Sequence, residues 1–325
     1  MNGKLEKMIK ADEKMTNKLK KHPQVLTDFY YDMKDEDKSY TTIGNYIDHV
    51  IHFMNFITNN RYKREFYKSV SSSDIKRYMS SIKRKEVNGE IKEVGDEIRA
   101  ARWSSLNAFF TFLKNNKYVE ENPMESTKRP RAKVEHVVTY LTKDEIDALL
   151  ERVKNDAQPM FMNRDLCIIY LGVTTGLRVS AICNININDI DFRTNRIKVI
   201  EKGNKTRYIM FGEKTKEQIQ NCIKDRNVYF KEADTDALFV SRNGNRISTS
   251  MVGILINKYT DGVTEKHITP HKLRASCATN LYQKTGDLLL TSKMLGHENI
   301  QTTRRYAAVA DESMDEAVKI LNDLV

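Results

Sequence analysis

PHKLRASCATNLYQKTGDLLLTSKMLGHENIQTTRRYAAVA, residues 270–310, places His271 and Arg274 three apart, His297 directly after a glycine, and Tyr306 nine positions beyond that histidine. Spacing of three puts His271 and Arg274 on one helical face. Pro270 suits the first turn of that helix, and a helix start offers unpaired N–H groups and the positive dipole end to an anion. Upstream, TTGLRVS carries Arg178, and EKGNKTR carries Lys202 and Lys205. Two arginines, a lysine and two histidines suit a charge-spread phosphoryl transition state, which needs mainly positioning and positive charge around its equatorial oxygens. A tyrosine hydroxyl following them suits a nucleophile that forms a covalent intermediate. Its phenol, with an ordinary pKa of about 10, needs help to lose a proton as it attacks.

The chain around these residues alternates between two periods. Arg196–Glu201 and Thr206–Phe211 are alternating β-branched runs joined by Lys202-Gly203-Asn204-Lys205, the pattern of a hairpin with a Gly-Asn turn. A further strand, turn and helix are expected around Leu238–Val240, Asn243-Gly244 and Met251–Tyr259. Thr142 and Glu145 form a capping box ahead of Ile146, Leu149 and Leu150. Asn163 to Gly172 is an apolar helix ended by TTG, with Arg178 opening the next short helix. In the first third, Ile43, Tyr46, Ile47, Val50, Ile51, Met54 and Ile57 recur at helical spacing. Ser73 stands as a cap before Ile75, Tyr78, Met79 and Ile82, and a third helix runs from about Asp96 to Leu113.

The order Arg178, Lys202, His271-x-x-Arg274, His297, Tyr306 resembles the tyrosine recombinase (phage integrase) family, most clearly over the last 190 or so residues. No piece is specific alone, because a bare HxxR is common; the order is what carries the resemblance. It implies a fold that is mainly α with a small antiparallel β-sheet (α+β): a helical N-terminal core-binding bundle followed by a mixed α/β catalytic domain. It implies that Arg178, Arg274 and His297 hold the scissile phosphate and that Tyr306 attacks it. It further implies that His271 takes the phenolic proton and that Lys202, directly before Gly203 and 202 − 178 = 24 residues after Arg178, protonates the departing 5′-oxygen. Lys205 is the rival lysine in the same turn. The family usually has an acidic residue three positions after the first arginine; here it is Ala181, so another acceptor is expected to brace the site. The reaction implied is cutting and rejoining of DNA through a 3′-phosphotyrosine and a Holliday junction, by a homotetramer on two duplexes with inverted-repeat core sites, in the service of a mobile element. An accessory DNA-bending or directionality protein is compatible with it. Two rivals stand beside this reading, a type IB topoisomerase-like relaxation activity and a non-catalytic DNA-binding regulator on a recombinase scaffold.

Bulk properties set limits around that reading. The 325 residues exceed what one core usually organises, so two domains are expected. Residues 1–20 read as a mobile basic arm, 21–125 as the helical core-DNA-binding domain, 126–137 as a basic linker and 138–325 as the catalytic domain, ending in an exchange helix at 313–325. In that tail Ser313 and Glu316 form a capping box before an apolar stripe from Met314 to Val325. The charge, 54 − 44 = +10, suits a polyanionic partner. Arg61, Lys63, Arg64, Lys68, Lys76 and Arg77 in the bundle, and Lys128, Arg129, Arg131 and Lys133 in the linker, are the expected phosphate contacts along with Lys205. Cys167, Cys183, Cys222 and Cys277 form no CxxC, which argues against a zinc or disulfide framework, and Cys167, Cys183 and Cys277, set among apolar or small residues, read as buried thiols of a reducing compartment. No Walker-type loop and no acidic cluster of a two-metal nuclease is present, so neither ATP nor a metal cofactor is expected. No run approaches the ~18 apolar residues of a membrane span, and a cytoplasmic location without membrane contact is expected.

Overall fold

The computed structural model describes residues 3–36, 38–59, 61, 65–87, 89–131, 138–200, 205–231, 233, 235–296, 299, 303 and 306. It divides into two compact units, Met1–Glu135 and His136–Val325.

The first unit is built from helices α1 (Gly3–Leu19), α2 (Gln24–Asp35), α3 (Tyr40–Thr58), α4 (Ser72–Ser81) and α5 (Asp96–Asn115), with a hairpin of β1 (Arg84–Val87) and β2 (Glu90–Glu93) between the last two. Its core is aromatic: Phe29 meets Phe109 edge-on at 5.2 Å and Phe53 meets Tyr78 at 5.1 Å, the geometry in which ring quadrupoles attract. The basic segment expected as a mobile arm is instead α1. Leu19 is buried in this core, and Asp12 accepts from Lys34 Nζ at 2.8 Å and from the Tyr30 hydroxyl. Met15 and Leu19 supply its docking face, which the lysine count obscured. The cap of α4 is Ser71, not Ser73: Ser71 Oγ accepts from the Asp74 N–H while the Asp74 carboxylate accepts from the Ser71 N–H, a complete capping box. The β1–β2 hairpin was missed although Asn88-Gly89 is a hairpin-turn dipeptide.

The second unit contains α6 (Lys143–Asp156), α7 (Pro159–Thr175), α8 (Val179–Asn184), β3 (Ile190–Asp191), β4 (Arg196–Ile200), β5 (Thr206–Met210), α9 (Glu213–Tyr229), α10 (Thr249–Thr260), α11 (Pro270–Thr285) and α12 (Leu288–Leu295). The three strands form one antiparallel sheet in the order β3-β4-β5. Thr142 and Glu145 form the expected capping box at the start of α6. Burial opposes ionisation of Glu145, but Lys266, the Thr142 N–H and the Thr264 hydroxyl outweigh it and hold the carboxyl at about 2. The strand expected at Leu238–Val240 is reduced to isolated bridges, Asn186 with Ala237 and Val240 with Arg246. Residues 237–240 are wholly buried and fill the core instead of extending the sheet. At the centre α7 packs on α11 so closely that a methyl group on Gly172 would fall 3.0 Å from Leu273 Cδ1. All four cysteines are free and buried. The turn at 201–204 and the tail at 313–325 lie outside the described residues.

Burial lowers the pKa of three histidines of the first unit, His22, His49 and His52. His49 Nδ1 and Ser105 Oγ are 2.9 Å apart, and burial, reinforced by the Arg102 charge, lowers the histidine pKa. The native state therefore favours neutral imidazole, whereas the unfolded chain takes up the proton at about pH 6.5. The contribution is present above that pH and is lost as pH falls below it. The urea midpoint of this unit, followed by the fluorescence of Trp103, the one tryptophan, should drop between about pH 7.5 and 5.5, and His49→Gln should lessen the dependence, the remainder coming from His22 and His52, whose pKa values burial lowers in the same way. A wild-type midpoint that does not move over this range would remove the linkage.

Candidate functional site

Helix α7 ends because Gly176 turns left-handed, at φ 62°. A side chain is excluded there twice over, since a Cβ would fall 2.6 Å from Leu295 Cδ2 and 3.3 Å from Cys277 Sγ. The ends of α7 and α12 and the middle of α11 thus meet at one glycine. Two residues on, Arg178 is the half-buried N-cap of α8.

Arg274 projects from α11 into this junction and is 5% exposed. Its Nη1 donates to Gly176 O at 2.6 Å and its Nη2 to Leu295 O at 2.9 Å. A buried guanidinium persists only with acceptors, and the last carbonyls of two helices provide them with partial negative charge. Ala181, where an acidic brace was missing from the sequence, is buried in α8. Main-chain oxygens, not a carboxylate at 181, take these two hydrogen bonds.

Tyr306 is 3% exposed and packs with Val138, Ala275, Ala278 and Leu295. The two alanines leave room on α11 for the ring. The segment bearing Val138 is fastened along the same helix: the Leu141 N–H donates to Ser276 Oγ at 2.7 Å, and Asn280 Nδ2 donates to Leu141 O at 2.9 Å. Burial pushes the neighbouring Cys277 thiol up to about 12 although Arg274 opposes the shift, so that cysteine is a packing group.

Arg274 and Tyr306 are therefore brought to one corner, with Arg178 two residues from a carbonyl that Arg274 grips. His271 lies on α11 after Pro270, as the spacing predicts, but at the exposed helix start while Arg274 is buried. Lys205 is exposed at the residue before β5. Lys202 and His297 lie outside the described residues, as do Lys63, Arg64 and Lys133. Arg61, Lys76, Lys128, Arg129 and Arg131 are exposed. Lys68 pairs with Glu65 at 2.7 Å and Arg77 with Asp74 at 2.5 Å, both at the surface, where such pairs are weak and a polyanion can displace them.

Arg207 was not singled out in the sequence. It lies on β5 opposite Val199 and donates through Nη2 to Lys293 O at 2.8 Å and to Met294 O. The signal was available: alternation puts position 207 on the same face as buried Ile209, where a charge is out of place.

Replacing Gly176 by Ala should lower the thermal midpoint of the second unit. The left-handed residue alone costs about 1–2 kcal/mol, and the added methyl would push Leu295 from its seat beside Arg274. An unchanged midpoint in thermal unfolding would show that the junction tolerates repacking.

Comparison with known proteins places these elements in a family. Residues 139–313 match the model of the phage integrase family. The chain is 32% identical to the tyrosine recombinase XerC of Caldanaerobacter subterraneus subsp. tengcongensis over 333 aligned residues, covering 95% of this chain and 90% of the relative. It is 31% identical to XerC of Staphylococcus epidermidis, covering 88% and 93%. Among solved structures, XerH recombinase bound to a palindromic difH substrate superposes with a TM-score of 0.69 at 19% identity, over 89% of this chain and 82% of that one. A lambda integrase fragment bound to a core site gives 0.66 at 17% identity, over 87% and 94%. The mainly helical fold with its small antiparallel sheet is thus the fold of these recombinases, and by sequence the chain belongs to the phage integrase family, the tyrosine-type site-specific recombinases.

Proposed function

We propose that the protein cuts and rejoins duplex DNA at specific sites through a 3′-phosphotyrosyl intermediate on Tyr306, acting for a mobile element. The observation that carries this reading is the buried Arg274 guanidinium, which gathers the chain ends leading to Arg178 and His297 beside the Tyr306 ring.

In the first step the Tyr306 oxygen attacks the scissile phosphorus. The P–O5′ bond breaks, the phenolic proton passes to His271, and the Lys202 ammonium protonates the leaving 5′-oxygen. Arg178, Arg274 and His297 offset the charge that builds on the nonbridging oxygens; the planar fork of an arginine suits two such oxygens better than an ammonium does. In the second step a 5′-hydroxyl from the partner duplex attacks the phosphotyrosine, so one phosphodiester is exchanged for another and no energy input is needed. Two rounds, with a Holliday junction between them, require a homotetramer on two duplexes whose core sites are inverted repeats. The exposed cations at Arg61, Lys76, Arg77, Lys128, Arg129, Arg131 and Lys205 supply phosphate contacts in this scheme, with Lys63, Arg64, Lys68 and Lys133 as further candidates. The 313–325 segment would dock on a neighbouring protomer, a heterologous contact that closes a ring.

Tyr306→Phe should abolish covalent attachment to a nicked suicide substrate and leave affinity for the uncut duplex within about twofold, since only the hydroxyl is lost and phosphate contacts dominate binding. Adduct formation by the Phe variant at wild-type yield would remove Tyr306 from its role.

The lysine has its own test. Lys202→Ala should slow cleavage by about 10²–10⁴-fold, the usual range for a general acid. A substrate with a 5′-phosphorothiolate leaving group, which needs no proton, should restore most of the rate. Rescue specific to Lys205→Ala would transfer the role to that residue.

A further inference from the structure

The hairpin has two unlike faces. Register pairs Arg196 with Met210, Lys198 with Tyr208 and Ile200 with Thr206 on the outer face, and Ile197 with Ile209 and Val199 with Arg207 on the inner one. Ile197, Val199 and Ile209 are buried, so Arg207 carries the one charge at an inner position of these two strands. That placement is costly unless the guanidinium finds acceptors. It finds them at the C-terminal end of α12, where Nη2 donates to Lys293 O at 2.8 Å and to Met294 O. The next carbonyl, Leu295 O, is taken by Arg274. Three successive carbonyls at the negative end of one helix are thus held by two arginines from different elements. The chain then turns through Gly296 at φ 68°, a left-handed conformation that favours glycine, and a Cβ there would also fall 2.0 Å from Arg207 Nη1. The next residue in the chain is His297.

We infer that Arg207 is a positioning residue that ties the lysine-bearing hairpin to the end of α12, and so fixes where the chain delivers His297. The inference rests on the recombinase reading above, in which His297 meets the scissile phosphate. Two features separate it from an ordinary phosphate contact. Arg207 stands at an inner register position of the sheet, and its Nη2 donates to the main-chain carbonyls of Lys293 and Met294.

The test uses the full-length protein. Arg207→Ala should reduce single-turnover cleavage of the suicide substrate by about 10²-fold, the usual result of a displacement of about 1 Å at a reacting group. Arg207→Lys should restore only part of this, because an ammonium lacks the planar fork. In a His297→Ala background, Arg207→Ala should cost less than about threefold, since two residues acting through one contact are not additive. The 5′-phosphorothiolate substrate should not rescue Arg207→Ala. Full additivity with His297→Ala would overturn the assignment, and so would rescue by the thiolate leaving group, which would route Arg207 through the lysine. A fall of about one in the slope of log affinity against log salt would make Arg207 a phosphate contact instead.

Gly296→Ala offers a second handle. The left-handed φ of 68° strains an alanine in either background, so the loss should appear in both and be larger in the wild-type background, where the Arg207 guanidinium also obstructs the methyl. An equal effect in both backgrounds counts against the latch. Amide hydrogen exchange in the free protein is independent of any reaction. Arg207→Ala should speed exchange in the last turn of α12 and leave the middle of α11 unchanged; unchanged exchange at α12 overturns the inference. A wild-type protein that cleaves no candidate substrate, with the exchange result intact, would sink the recombinase reading and leave the latch standing.

Discussion

The hydrogen bonds from the Arg274 guanidinium to Gly176 O and Leu295 O are the constraint on which the second unit's functional corner depends. Removing that charge from water is expensive, and breaking such an arrangement by deleting one partner typically costs about 3–5 kcal/mol. The cost is offset here because both acceptors stand at helix C-termini, where carbonyls lack intrahelical donors and carry partial negative charge. One side chain therefore satisfies two helix ends. In doing so it fixes the spacing of α7, α11 and α12, and with it the places at which the chain leaves α7 at Gly176 and α12 at Gly296.

Several residues follow from that constraint and would look arbitrary without it. Gly176 must be glycine because it is left-handed and because Leu295 and Cys277 close over it. Gly172 must be small because Leu273 of α11 presses against it. Ala275 and Ala278 leave a slot for the Tyr306 ring, and Ser276 and Asn280 on the same helix strap down the 138–141 segment that closes the slot from the other side. Position 181, where the sequence carries alanine, is a small buried residue of α8. Arg207 extends the same logic to the sheet, since the end of α12 is held from two sides by cations whose acceptors are its own carbonyls.

The first unit is organised differently. Its core is a lattice of aromatic rings from α2, α3, α4 and α5, with α1 added through Leu19 and the Asp12 contacts. Polar contacts also tie its segments together, among them Tyr118 with Asp28, His49 with Ser105 and His52 with Tyr78. The basic residues lie outside this lattice, on exposed positions such as Lys76 and Arg77 of α4, while Ile75, Tyr78 and Met79 of the same helix face inward. Separation of charge from core by the 3.6-residue period is what lets a unit with a strongly basic surface still bury a large apolar interior.

Much of this was legible in the chain. Helical periodicity located α3, α4, α5 and α7 to within a few residues, the T-x-x-E signature located the start of α6, and β-branched alternation located β4 and β5, because each is a local property of consecutive residues. The linear order of Arg178, Lys202, His271, Arg274, His297 and Tyr306 pointed to the family, because order along the chain needs no structure to be read. The sequence could not say that α1 docks, since a lysine-rich amphipathic segment is bound or free according to a surface formed elsewhere. Nor could it say that residues 237–240 fill a core instead of pairing as a strand, or that Arg207 reaches residues 293 and 294, more than 80 positions away by its contacts. Period and capping are decided between neighbours in the chain. The acceptors of a buried charge are decided by which helix ends the packing brings within 3 Å of it, and only the tertiary structure fixes that.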